Sequence, residues 1–284
     1  MSKLSRRNFI KSAVALSSLP LVASATQTDT NHKEETLRFV HVTDSHMDLA
    51  NSDSIEALEL MVSYLNAKHT DLDFVLFGGD NFNNNAPKNS DALKFKEIIS
   101  KLNAPAYLVR GNKESNPKND SSINLQEFQN LFCRDKALQV VGKDWRVDTK
   151  GYTLLGLDSC IEGANNGRYS EETLSFAESV LKEKRPTIIL NHHPYTNYFK
   201  GTDPKDIHKF VLNNTEETQK RLFTFDNLLL TLSGHKHIDS VINLHGTESI
   251  VTRGFIRPLD LDMYPMRLVE ITNNKIQEKM IYTS

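Results

Sequence analysis

Short apolar runs alternate along most of this chain with longer segments in which apolar residues recur every three or four positions. That is the pattern of buried strands and amphipathic helices taken in turn. The first strand is predicted over 37–43, followed by a helix over 54–68 through Ile55, Leu58, Met61, Val62 and Leu65. A second strand at 73–77 leads to a helix over 91–102, a third strand at 106–109 and a short helix over 125–132. Trp145-Arg146-Val147 and the run at 152–157 form a hairpin around Lys150-Gly151. A helix over 170–184 opens at Ser170 with Glu171 and Glu172 in its first turn, where acidic groups oppose the helix dipole. Thr187-Ile188-Ile189-Leu190 and 228–232 are buried strands, with further strands at 240–244, 249–252, 267–271 and 275–282. The segments 116–122 and 195–226 are polar and carry no readable period.

The residues just past the strands are more informative than the strands themselves. The first strand ends in Asp44-Ser45-His46, the second in Gly78-Gly79-Asp80-Asn81 and the third in Arg110-Gly111-Asn112-Lys113-Glu114. Two later ones end in Asn191-His192-His193-Pro194 and Ser233-Gly234-His235-Lys236-His237. Open α/β sheets place their ligands at these carboxyl ends. Alternate residues of an extended chain point the same way, so Asp44 with His46, and His235 with His237, can each reach one site if the extension persists past the strand. Singly, each residue has an ordinary reading: Asp44 or Asp80 as a helix cap, Asn112 as a turn residue, His192 as a core histidine, His235 and His237 as loop histidines. Five such endings in one chain point to a shared site. Nitrogen and oxygen donors without thiolate suit Mn, Fe, Zn or Co.

In order, the endings read D-x-H, G-D, G-N, H-H-P and G-H-x-H, which resembles the calcineurin-like metallophosphoesterase superfamily over nearly the whole chain from Leu37. The resemblance implies a four-layer α/β/β/α sandwich of two mixed sheets flanked by helices. It implies that Asp44, His46, Asp80 and His237 hold one divalent ion, with Asp80 bridging to a second held by Asn112, His192 and His235. His193 would line the site, and metal-bound hydroxide would attack a small phosphoester. Leu157-Asp158-Ser159, followed by Gly163 and Gly167, is similar to the cyclic-nucleotide-phosphodiesterase-like branch.

One position departs from the family pattern. Where G-N-H-D/E is common, with the histidine near the leaving group, this chain has Gly111-Asn112-Lys113-Glu114. An ammonium stabilises phosphate charge, but with a reference pKa of about 10.4 it is a reluctant proton donor. Efficient hydrolysis of esters with poor leaving groups is therefore not expected, and because family branches that lack the histidine look like phosphodiesterases or pyrophosphate-cleaving enzymes, the resemblance implies a phosphodiester; a phosphomonoesterase and a metal-binding pseudoenzyme are the alternatives. Gly79-Asp80-Asn81-Phe82 also resembles the purple acid phosphatases, in which a metal-bound tyrosine comes three residues after the bridging Asp. Here that residue is Asn83, so a purple ferric site is not expected.

Composition narrows the class without changing it. Across 284 residues, 38% hydrophobic and 25% charged is the balance of a protein with a sizeable core, and a net charge of −2 leaves no nucleic-acid or anionic-membrane footprint. At the N-terminus, Arg6-Arg7 precedes an apolar stretch at 13–22 and then Ala23-Ser24-Ala25, which looks like a twin-arginine export signal over residues 1–25. The stretch is short for a membrane span and contains Pro20. The expectation is a single domain over 26–284, exported to the periplasm by the twin-arginine machinery, where Cys133 and Cys160 could pair.

Overall fold

The computed structural model describes residues 35–116, 123–196, 203–256 and 264–283. In chain order the first elements are β1 (Leu37–Val42), α1 (Ser52–Lys68), β2 (Phe74–Phe77), α2 (Ser90–Ile99), β3 (Ala106–Leu108), α3 (Asn112–Ser115) and α4 (Leu125–Phe132). Next come β4 (Gln139–Val141), β5 (Asp144–Thr149), β6 (Tyr152–Gly156), α5 (Glu171–Leu181), β7 (Thr187–Leu190) and α6 (Thr215–Leu222). The chain closes with β8 (Leu228–Ser233), β9 (Ser240–Leu244), β10 (Thr247–Val251), β11 (Pro265–Thr272) and β12 (Lys275–Tyr282).

Two mixed sheets result. One has the order β12-β11-β1-β2-β3, with β1, β2 and β3 parallel and the terminal hairpin antiparallel to them. The other has the order β4-β5-β6-β7-β8-β10-β9, parallel from β6 through β10 and antiparallel at both margins. Their facing sides share one apolar layer, to which Phe39, Phe74 and Leu76 contribute from the first sheet and Leu154, Ile188, Leu190 and Leu230 from the second. The opposite side of the first sheet packs on α1, α2 and α4 through Val40, Val75, Leu58, Phe95 and Phe128. That of the second packs on α5 and α6 through Leu155, Ile189, Ala177 and Leu222. This is the four-layer sandwich, and burial on both faces explains why the central strands read as continuous apolar runs rather than alternating ones.

Local chemistry fixes where helices start. Asn124 caps α4 by accepting the Glu127 N–H at 3.0 Å while the Glu127 carboxylate accepts the Asn124 N–H at 3.0 Å. Ser170 caps α5 through the Thr173 N–H at 3.2 Å. Trp145 on β5 donates its indole N–H to the Leu108 carbonyl at 2.7 Å, linking the two sheets beside the end of β3.

Some elements differ from expectation. The helices predicted to end at 102 and 184 stop at Ile99 and Leu181, and β4, α3 and α6 are additional. β4 is exposed along its length, and the described part of 195–226 contains a 3-10 turn at Pro204–Lys209 as well as α6. Cys133 and Cys160 are free thiols. Residues 34–284 form one compact unit. The export signal at 1–25 lies outside the described residues, among which no helix is long and apolar enough to cross a membrane.

Candidate metal centre

The carboxyl ends of β1, β2 and β3 in one sheet and of β7 and β8 in the other meet at a single seam, and every residue expected to bind metal is there. The chain does not reach it by continuing the strands. Asp44, His46, Asp80, His235 and His237 all have positive φ, between 44° and 69°. The two-residue spacings thus converge through left-handed turns, not through alternation along an extended segment. The turns are fixed by backbone bonds between the loops: Asp44 N–H to the Gly79 carbonyl at 3.0 Å and His46 N–H to the Asp80 carbonyl at 2.9 Å. Close approach also requires glycine at two positions. A Cβ on Gly111 would lie 2.2 Å from the Asp80 nitrogen, and one on Gly234 would lie 1.9 Å from the Thr43 hydroxyl.

Two groups of donors form around Asp80. In the first, His46 Nε2 lies 3.2 Å from His237 Nε2, which is 3.1 Å from Asp44 Oδ1. In the second, Asn112 Oδ1 is 3.1 Å from His192 Nε2 and 3.0 Å from His235 Nδ1. Asp80 faces both: Oδ2 is 3.8 Å from His46 Nε2, and Oδ1 is 3.5 Å from His192 Nε2. The remaining ring nitrogens decide what these atoms offer. His46 Nδ1–H donates to Asn83 Oδ1 at 3.2 Å, His192 Nδ1–H to the Gly78 carbonyl at 2.9 Å and His235 Nε2–H to the Lys209 carbonyl at 3.0 Å. Each of these rings therefore turns a lone pair inward when neutral.

Burial favours the neutral forms of His235 and His46. It pulls His235 down to about 4 and lowers His46 as well. Burial pushes the Asp44 carboxyl upward, yet the bond from His237 and the nearby imidazoles hold it below the usual carboxylate range. The inward face of the seam is thus two buried carboxylates and several lone pairs, acceptors set against acceptors. Buried charges are stable when paired or bound to metal. The donor set fits divalent cations held by imidazole, amide and carboxylate.

A model of the calcineurin-like phosphoesterase family matches residues 37–239. The chain belongs to the calcineurin-like phosphoesterases. It is accordingly a metal-dependent phosphoric ester hydrolase. Among its relatives is an Arcobacter nitrofigilis protein named "Probable glycerophosphodiester phosphodiesterase GpdQ", 27% identical over 209 residues that cover 70% of this chain and 71% of that one. The Haemophilus influenzae 3',5'-cyclic adenosine monophosphate phosphodiesterase CpdA is 22% identical over 225 residues, 76% of this chain and 75% of that one. In fold it is similar to a dimetal phosphatase from Danio rerio, with a TM-score of 0.58 at 12% identity over 87% of this chain and 99% of that one.

This phosphoesterase supports its site with groups that are not themselves among the expected ligands. Glu114, buried in α3, accepts backbone N–H bonds from Gly111 at 2.6 Å, Asn81 at 2.7 Å, and Asp80 and Phe82 at 3.1 Å. One carboxylate thus ties the Asp80 loop to the Asn112 loop; burial and the charge of Asp80 push it up to about 7 against the pull of those donors. Asn83 is itself held by Asp48, its amide donating to the carboxylate at 2.8 Å, so a carboxylate–amide–imidazole chain orients His46. The acid that closes the Gly111-Asn112-Lys113-Glu114 motif was the available signal for Glu114; nothing in the sequence marks Asp48. Lys113 is half-buried, and its backbone N–H donates to Asp80 Oδ1 at 2.7 Å. Lys236 is directed onto the Phe210 ring, 4.0 Å from its centroid. His193 is buried beside the second group, with both nitrogens engaged by Ser159 at 2.8 Å and the Asn165 carbonyl at 3.1 Å.

Proposed function

We propose that this chain is an exported phosphodiesterase working with two divalent ions. The observation that carries the two-ion reading is Asp80, whose oxygens are directed to different imidazoles, Oδ2 to His46 and Oδ1 to His192. Asp44, His46 and His237 would hold one ion, Asn112, His192 and His235 the other, and Asp80 both. When bound, two ions would supply Lewis acidity to the phosphoryl group and an activated water.

The chain's own residues do the rest. The backbone bonds to Asp44, His46 and Glu114 fix the donors before substrate arrives, so little reorganisation is left for the reaction itself. Lys113, next to Asn112, would supply positive charge to the phosphoryl oxygens. Two relatives named as phosphodiesterases favour the same substrate class. Purified protein loaded with Mn²⁺ is expected to hydrolyse bis(p-nitrophenyl) phosphate faster than p-nitrophenyl phosphate. The reverse order would sink the diester assignment.

Export rests on Arg6-Arg7 and the apolar stretch behind them. Changing both arginines to lysine should leave the protein in the cytoplasmic fraction of its host; unchanged periplasmic recovery would contradict a twin-arginine route.

A further inference from the structure

Asp158, Ser159, Gly163 and Gly167 belong to a sequence motif that the metal ligands do not use. Ser159 lies just past the end of β6, where its hydroxyl donates to His193 Nδ1 at 2.8 Å and accepts the His193 backbone N–H at 3.2 Å. His193 Nε2–H then donates to the Asn165 carbonyl at 3.1 Å. These bonds fix the tautomer, engage both nitrogens and hold the ring in place beside the ligands. Its ring packs against two imidazoles of one proposed ion site, 4.5 Å from His235 and 4.9 Å from His192 between centroids.

The loop over 160–169 that supplies Asn165 is tied to the segments that carry Asn112 and orient His235. Its Gly163 N–H donates to the Ser115 carbonyl at 2.8 Å, and Asn165 Oδ1 accepts from Asn116 at 3.1 Å, both at the end of the short helix that begins with Asn112. The Gly167 carbonyl accepts the Asn213 N–H at 2.7 Å, in the segment whose Lys209 carbonyl orients His235. Arg168 N–H returns to the Ser159 carbonyl at 2.8 Å. Gly167 lies flat on the His193 ring: a Cβ there would come within 2.2 Å of Cγ.

We infer that Ser159 and His193 are positioning residues for the ion on the Asn112 side, with His193 acting as the pin between the 160–169 loop and the ligands His192 and His235. This rests on the two-ion reading. The other donor group has separate supports, Asn83 and Asp48 behind His46.

The test is a Co²⁺ titration of the metal-free full-length protein, followed by ligand-field absorption. Wild type should show two binding steps, of which the Asn112-side step is the one that survives in His46→Ala. Ser159→Ala should weaken that step by about 10–100-fold, the usual effect of losing an outer-shell partner, and leave the other unchanged. Ser159→Thr, which keeps the hydroxyl, should restore it. Two wild-type steps in Ser159→Ala, or equal weakening of both, would overturn the inference. A single step in wild type would instead overturn the two-ion reading and this inference with it. Should Ser159→Ala fail to fold, Asn116→Ala cuts an exposed tie of the same loop and should weaken the same step a few-fold; an unaltered titration there would also refute the inference.

Discussion

Asp44, His46, Asp80, His235 and His237, five of the seven proposed ligands, occupy the left-handed region that residues with a Cβ rarely enter. Each such residue costs about 1–3 kcal/mol, and clusters of them persist where surrounding structure over-determines the backbone. Here the determinants are visible: the loop-to-loop bonds of Asp44 and His46, and the four N–H groups gathered by Glu114. That these residues converge was legible in the sequence because only certain side chains bind metal and each follows a buried run. Their backbone was not, because a spacing of two fits both an extended strand and a tight turn. In the proposed diesterase, Lys113 is the residue on which substrate choice would turn. Lys113→His should raise hydrolysis of phenyl phosphate by about 100-fold, the lower end of the range for a placed general acid, with a smaller change for bis(p-nitrophenyl) phosphate. An unchanged phenyl phosphate rate would mean that Lys113 does not limit leaving-group departure.

At the scale of elements, what could be read was what is buried. β1, β2, β7 and β8 are short apolar runs with every residue buried or nearly so, and α1, α2 and α5 bury one stripe each. α3 has four residues, too few to show a period, and α6 buries only Thr218 and Leu222 of its length. β4 gains its structure from pairing with β5, not from burial. The β5–β6 margin carries a testable titration. Asp144 opens β5, accepts the Asp158 N–H at 2.7 Å and is pushed up to about 7, chiefly by burial. A folded-state pKa above the unfolded one means that the native state binds the extra proton, so stability falls as pH rises from about 4 to about 7. Asp144→Asn keeps an oxygen for Asp158 and removes the charge. In urea melts it should flatten that decline, a difference of at most about 4 kcal/mol at pH 8. Parallel pH profiles for the two proteins would show that Asp144 stays ionised.

For the whole molecule, the sandwich brings together strand ends that are far apart in sequence. β1, β2 and β3 deliver Asp44, His46, Asp80 and Asn112 from one sheet, while β7 and β8 deliver His192, His235 and His237 from the other. The site therefore exists only while the sheets stay in register, and the shared apolar layer and the Trp145–Leu108 bond are what hold them. The order of the five strand endings made this architecture legible, because each ending lies beyond a buried run. Which loops tie the ligands in place depends on contacts across more than 30 residues of sequence, such as Glu114 with Asp80, and no local pattern encodes those. Asp80 is the joint of the whole arrangement. The most direct measurement is metal content per chain by mass spectrometry after Mn²⁺ loading and desalting, for wild type and Asp80→Asn. Two ions are expected in wild type and fewer than one in the variant, with activity lost alongside. One ion in fully active wild-type protein, or two retained by Asp80→Asn, would contradict the bridging role.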